Sequence, residues 1–284
     1  MHTPVLLRQT IGVLDIQEGK KYIDATYGEG GHSAEITKKG GLVLAIEWDE
    51  AQIKSQKLKV KNSKNLKLVC GNFADIERIG RENNFENVNG ILFDLGLSMD
   101  QINISGRGFS FKKIDEPLDM RIHKGLTKTA IDIINHSSAH ELYEIFSKNS
   151  EEINSRTIAH ALFQACRIQK IEKVGELLSV IFDGQLKIRG DREGIKRRIF
   201  QALRIEVNHE FENIKKGLNG AIHLLGKDGK IAIITFHQGE DRIVASFIRS
   251  HGLRLITKKP IVAQKEEGIF ERSAKLRVID ISNV

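Results

Sequence analysis

Three glycines and a run of polar residues in Asp24-Ala25-Thr26-Tyr27-Gly28-Glu29-Gly30-Gly31-His32-Ser33 form the stretch whose composition most directly suggests chemistry. Lys21-Tyr22-Ile23 before it favours a strand and Ala34-Glu35-Ile36 after it can open a helix, so the stretch reads as strand, tight turn, helix. Glycines at 28, 30 and 31 allow positive φ and a close approach of backbone to a ligand, and a new helix offers unpaired N–H groups. The spacing approaches G-x-G-x-x-G but places Ser33 where the third glycine belongs, which points to a nucleoside cofactor other than a dinucleotide.

Further along, acids and one aromatic recur at expected strand ends. Leu42-Val43-Leu44-Ala45-Ile46 is apolar throughout, as a strand covered on both faces requires, and runs into Glu47-Trp48-Asp49. Glu47 is the candidate for ribose hydroxyls; Asp49 is either a second acid there or the N-cap of the next helix. Leu66 to Cys70 leads to Phe73, which either covers an adenine or joins the core. Val88 to Phe93 leads to Asp94.

These positions need a framework. Expected strands at 21–25, 42–46, 66–70 and 88–95 alternate with helical patterns at 31–39, 49–60 and 74–84, predicting a doubly wound α/β core with parallel strands. From Met99 to about Lys124 periodicity is lost, but Ser105-Gly106-Arg107-Gly108-Phe109-Ser110-Phe111 and Pro117 to Arg121 combine glycines for flexibility, arginine forks and aromatic surfaces. Residues 127–190 read as helices only. A basic run from Lys187 to Arg198 then enters a long helix with Phe200, Leu203, Val207, Phe211, Ile214 and Leu218 on one side. That run suits phosphate contacts or is a solvated face. Strands are expected again at 230–236, 253–256 and 276–281, with a helix at 241–250.

Composition bounds the classes. The 284 residues have a soluble balance of 40% hydrophobic and 29% charged residues; 44 Lys and Arg against 37 Asp and Glu fit a polyanionic partner. Cys70 and Cys166 are too few for a disulfide framework and read as reduced core thiols. No basic leader or long apolar run appears, so a cytoplasmic protein is expected rather than a secreted or membrane-spanning one.

The set of motifs resembles the RsmH (MraW) family of ribosomal RNA methyltransferases. The match runs through His2-Thr3-Pro4-Val5-Leu6-Leu7, Asp24 to Ser33, Asp94-Leu95-Gly96 with Gln101, Arg107 to Phe111, Pro117 to Arg121, Phe200 to Asn208, Phe236-His237 with Glu240-Asp241-Arg242, and Arg272 to Arg277. The resemblance implies a Rossmann-like S-adenosylmethionine-dependent methyltransferase sheet with an inserted helical domain. The core is expected at residues 1–105 and 208–284 and the insertion, a substrate-recognition domain, at 106–207. It also implies S-adenosylmethionine contacts at Gly30, Gly31, His32, Glu47, Phe73, Asp94 and Gln101, and N4-methylation of a cytidine in the decoding region of 16S rRNA of the small ribosomal subunit. Departures from the family pattern fall at Met99, His123, Gln238-Gly239 and Phe270-Glu271.

A sulfonium methyl is already electrophilic, so transfer mainly requires an aligned acceptor, and a cytosine amine is helped by a hydrogen-bond acceptor and an aromatic platform. Asp94 is therefore the catalytic candidate and Phe109 or Phe111 the stacking candidate, with Arg107, Arg197 and Arg198 expected on RNA. A catalytically retired RNA-binding or assembly protein on the same fold is the alternative; a nicotinamide oxidoreductase is disfavoured by Ser33. Oligomeric state is left open, a homodimer included.

Overall fold

The protein is described from a computed structural model covering residues 4–60, 63–182, 186–263 and 273–281. His2, Thr3, Phe270, Glu271 and Arg272 lie outside the described residues. The chain divides into two compact units, residues 1–96 with 211–284, and residues 97–210. The division falls at 96/97 and 210/211, against the expected 105/106 and 207/208.

The first unit is built on strands β1 (Lys21–Asp24), β2 (Leu42–Glu47), β3 (Leu66–Cys70), β4 (Val88–Asp94), β5 (Leu225–Thr235), β6 (Arg254–Leu255), β7 (Ile261–Val262) and β8 (Lys275–Asp280). Their order is β3-β2-β1-β4-β5-β8-β6, with β7 also on β8. β1 to β5 are mutually parallel, whereas β8 runs antiparallel to β5, β6 and β7. The chain winds outward from β1 to β3 and then returns to β4 on the other side of β1. The carboxyl ends of β1 and β4 therefore flank a topological switch point, where doubly wound sheets open a ligand crevice.

Alternation along each strand buries both faces. Ile23, Leu44, Ile91, Phe93, Ile231 and Ile233 pack in one core with Ile76, Ile79, Ile214, Leu218 and Val244. On the opposite side, Leu92, Ala232, Ile234 and Val278 pack with Leu6 and Leu14, and Tyr22 and Val43 with Ile11 and Ile36. The helices of this unit are α1 (Leu7–Leu14), α2 (Gly31–Lys38), α3 (Glu50–Val60), α4 (Ile76–Glu82) after a 3₁₀ turn at Phe73–Asp75, and later α11 (Glu210–Leu224) and α12 (Gln238–Ser250). Cys70 is exposed, not the core thiol expected, because it ends β3, the sheet's edge strand, none of whose residues is fully buried.

The second unit is helical: α5 (Met99–Asn103), α6 (Ala130–His136), α7 (Ala139–Ser150), α8 (Ser155–Cys166), α9 (Val174–Phe182) and α10 (Arg192–Asn208). Reciprocal capping boxes start three of them, Ser98 with Gln101, Thr129 with Asp132 and Ser138 with Glu141. Leu142, Phe146, Ile158, Leu162, Leu177, Ile181, Ile199 and Leu203 fill the core. The single long helix expected through Leu218 is broken instead at His209, whose φ of 52° ends α10.

The aperiodic loop is braced rather than flexible. Gly108 adopts φ +75° where a Cβ would come within 2.3 Å of the Pro117 carbonyl oxygen, so glycine is required by a backbone crossing. The Arg107 guanidinium donates to the carbonyls of Arg121 and Ile122 (3.0 and 2.9 Å). Asn208, fully buried, accepts from the Ile122 N–H at 2.7 Å and donates to the carbonyls of Met120 and Arg204, both at 2.8 Å. Those bonds hold Met120 at φ 57°. Among the described residues no helix is long and apolar enough to cross a membrane.

Candidate active site

Asp24 ends β1 and Asp94 ends β4, so the switch point begins with two acids on adjacent parallel strands. Thr26 links them: its N–H donates to Asp24 Oδ1 at 3.2 Å and its Oγ1 accepts from the Asp94 N–H at 2.6 Å. Ser33, one turn into α2, donates its hydroxyl to Asp24 Oδ2 at 2.6 Å. The residue that breaks the dinucleotide pattern thus ties helix α2 to strand β1 through a hydrogen bond that glycine could not make.

Asp94 is poorly compensated. Its Oδ2 is 3.6 Å from His32 Nδ1, too long for a firm hydrogen bond, and its buried Oδ1 has no partner among the described residues. His32 is itself buried, with an unpartnered Nε2, and burial lowers its pKa to about 4, leaving it neutral near pH 7. Burial, and then the charges of Asp24 and Glu240, push Asp94 up to about 8; burial pushes Asp24 up to about 6 against the hydrogen bonds from Ser33 and Thr26.

Glu240 enters from α12. Its Oε2 accepts from the Phe236 and His237 N–H groups (2.7 and 3.3 Å), while His237 caps the same helix through Nδ1. The pair forms a capping box with histidine in the place of serine. The adjoining Asp241 takes Arg277 through two bonds (2.7 and 3.2 Å) and Lys275 at 3.1 Å, so these motif residues fix α12 to β8. Gly239, a departure from the family pattern, sits where a Cβ would approach Phe211 to 2.7 Å.

Glu47, at the end of β2, accepts from the Gly28 N–H on Oε2 (2.9 Å) and from the Asp49 N–H on Oε1 (2.7 Å). The ribose candidate therefore also shapes the glycine turn. Burial raises its pKa to about 7. Asp49 accepts from the Ala51 N–H at 3.0 Å, a cap-like bond. Gly30, at φ +82°, is packed by Tyr27, and Gly31 by Pro4, each closer than a Cβ would tolerate. Helix α2 starts there with no side-chain cap on Gly30, which suits an incoming ligand.

Phe73 is half-buried, edge-to-face with Phe93 at 5.8 Å, and tightly packed on Gly217. Gln101 lies in the second unit, buried, with Oε1 accepting from the Ser98 N–H at 3.0 Å. Asp24, Thr26 and Ser33 fall inside the glycine-rich stretch that the sequence marks, without an individual contact being assigned to them. For Glu240 the signal is the H-x-x-E spacing at 237–240, since a cap partner must lie three residues into its helix.

The expected RNA contacts fare differently. Phe109 is only 8% exposed, inside the helical core with Arg107 over its ring at 5.2 Å, so it presents no stacking face. Phe111 is half-buried against Phe200. Arg107 is spent on bracing its own loop, and Arg198 pairs at 2.7 Å with Glu152, whose side chain is fully buried. Arg197 is exposed.

The three raised carboxyls set a pH dependence. Each binds its proton more tightly in the folded chain than in the unfolded one, so unfolding releases protons and stability falls as pH rises through the interval between the two pKa values. The ligand-free protein is expected to melt at progressively lower temperature from about pH 4 to about pH 8. Calorimetric melts across that range check it; a melting temperature that climbs from pH 5 to pH 8 would contradict these environments.

The MraW methylase family model matches residues 1–282. A protein named Ribosomal RNA small subunit methyltransferase H from Clostridium botulinum (strain Loch Maree / Type A3) is 39% identical over 303 residues, covering 98% of this chain and 97% of its own. Its namesake from Dictyoglomus thermophilum is 38% identical, covering 98% and 96%. Among solved structures, an rRNA methylase from Streptococcus thermophilus aligns over 99% of this chain and 98% of its own, at 13% identity and a TM-score of 0.42. Matched from end to end by the family model and by relatives of nearly its own length, the chain belongs to the MraW methylase family.

Proposed function

We propose that the protein transfers a methyl group from S-adenosylmethionine to the N4 amine of a cytidine in the decoding region of 16S rRNA. The observation that carries the cofactor assignment is the uncompensated acid at the switch point. Asp94 Oδ1 and His32 Nε2 are buried without partners beside Asp24, and a cationic ligand bearing N–H donors fits such a set. S-adenosylmethionine held there would supply an electrophilic sulfonium methyl, its sulfur keeping the bonding pair, and Asp94 or solvent would take the proton that the methylated amine releases.

The chain's own part is placement. Glu47 holds the glycine turn and has lone pairs left for ribose hydroxyls. Gly30, Gly31 and His32 at the start of α2, together with half-buried Phe73, would hold the cofactor. Asp94 accepts a hydrogen bond from an N–H group of cofactor or cytosine. RNA of the small subunit is the acceptor that the relatives' names support, and the cytoplasm is where that substrate would be met.

A retired RNA-binding protein is the weaker reading, because the unpartnered buried atoms of Asp94 and His32 at the switch point among the described residues suit a bound ligand. Calorimetry with S-adenosylmethionine, S-adenosylhomocysteine and NAD tests the cofactor. The first two are expected to bind and NAD is not; NAD binding with silence from both others would overturn the assignment.

A further inference from the structure

Two buried residues in the turn between α7 and α8 join three separated stretches of the helical unit. Glu152 Oε2 accepts from Arg198 Nε at 2.7 Å, and its Oε1 accepts from the backbone N–H and side-chain Nδ2 of Asn154 at 2.8 and 2.6 Å. Asn154 also donates Nδ2 to the Arg189 carbonyl at 2.9 Å and accepts the Arg189 N–H at 2.8 Å. The segment before α10, the first turns of α10 and the start of α8 are thereby fixed to one another.

This stitching gathers cations that sequence separates. Arg156, Lys187, Arg189, Arg192 and Arg197 are all exposed and lie within a few residues of these stitched positions along the chain. Arg156 lies 5.4 Å from the Tyr143 ring centre, and Arg192 lies 5.6 Å from that of Phe182. A guanidinium resting on a ring is pre-ordered, with its in-plane donors still available to a phosphate. Nearby acids are partly occupied: Glu193 pairs with Lys196 and Asp191 caps α10. Exposed Ile153 stands among the cations. A membrane surface would require a broader apolar face than one isoleucine, whereas RNA offers both phosphates and apolar sugar or base faces.

We infer that this end of the helical unit is a phosphate-docking surface for ribosomal RNA, built on the Glu152 and Asn154 stitch and additional to the contacts that hold the target base. The inference rests on the rRNA reading above. Arg198 is a structural member of the surface; Arg156, Arg189 and Arg197 make the contacts.

The test uses full-length protein and small ribosomal subunits in filter binding over a salt series, with Arg156→Gln and Arg189→Gln combined. Each lost phosphate contact is expected to flatten the log–log salt slope by roughly 0.7–0.9, about 1.5 for the pair. KM for subunits should rise with kcat retained, and S-adenosylhomocysteine affinity should not change. Ile153→Ser should raise KM without altering the slope. An unchanged slope alongside normal methylation overturns the docking surface alone. Wild-type protein that neither binds nor methylates subunits overturns the rRNA reading and the surface with it. Binding to anionic vesicles that depends on these arginines, when subunit binding does not, assigns the surface to lipid and overturns the inference.

Discussion

Asp94→Asn is expected to slow methyl transfer to small ribosomal subunits by roughly two to four orders of magnitude, the range for losing a positioned proton acceptor. The fold should survive. The Asp94 backbone N–H to Thr26 is retained by any residue, and the lost carboxyl is one that burial and two like charges already disfavour. Relieving that repulsion should leave the mutant at least as heat-stable as wild type at pH 8, with the difference vanishing near pH 5, where Asp94 is protonated in the native protein. Single-turnover methylation with paired melts at the two pH values measures both. Activity within a few-fold of wild type in a folded Asp94→Asn protein would remove Asp94 from the reaction.

Glu47→Ala should weaken S-adenosylhomocysteine binding about 100-fold, the sum of a charged hydrogen bond lost to ribose and a glycine turn released from its anchor. Glu47 contributes on both counts because one carboxylate receives the Gly28 and Asp49 N–H groups and keeps further lone pairs. Glu47→Gln keeps an acceptor on one side and should lose about 10-fold. Titration calorimetry near pH 8, above the raised pKa of Glu47, separates the two. Unchanged affinity in a folded Glu47→Ala protein would return Glu47 to a purely structural part.

Much of the first unit was legible in sequence for a simple reason. Parallel strands covered on both faces must be apolar along their length, and the acids that end them, Glu47 and Asp94, stand out against that background. Short or conformationally unusual elements were not legible. The two-residue strands β6 and β7 carry no period, and the antiparallel setting of β8 is fixed by pairing rather than by its own residues. Helix α1 begins after Leu6 at φ 53° and α10 ends at His209 at φ 52°, left-handed positions without the glycine that usually announces them.

In the site, the misreadings have a common origin in distant partners. Arg198 is paired by a residue 46 positions away and Arg107 by carbonyls 14 and 15 positions away, so two cations suited to phosphate are occupied within the unit. Phe109 follows a glycine-rich turn that suggests exposure, yet the braced loop turns it into the helical core. Conversely, Asp24 heads the glycine-rich stretch, but its partners Ser33 and Asp94 are set by the fold rather than by spacing.

Methyl transfer to cytidine in small-subunit RNA is read directly from the labelled nucleoside. Purified protein is incubated with methyl-labelled S-adenosylmethionine and small ribosomal subunits lacking the modification, and the RNA is digested to nucleosides and separated. Label is expected in N4-methylcytidine, dependent on Asp94. Label in any other nucleoside, or none at all from protein that calorimetry shows to be loaded with S-adenosylmethionine, would contradict it.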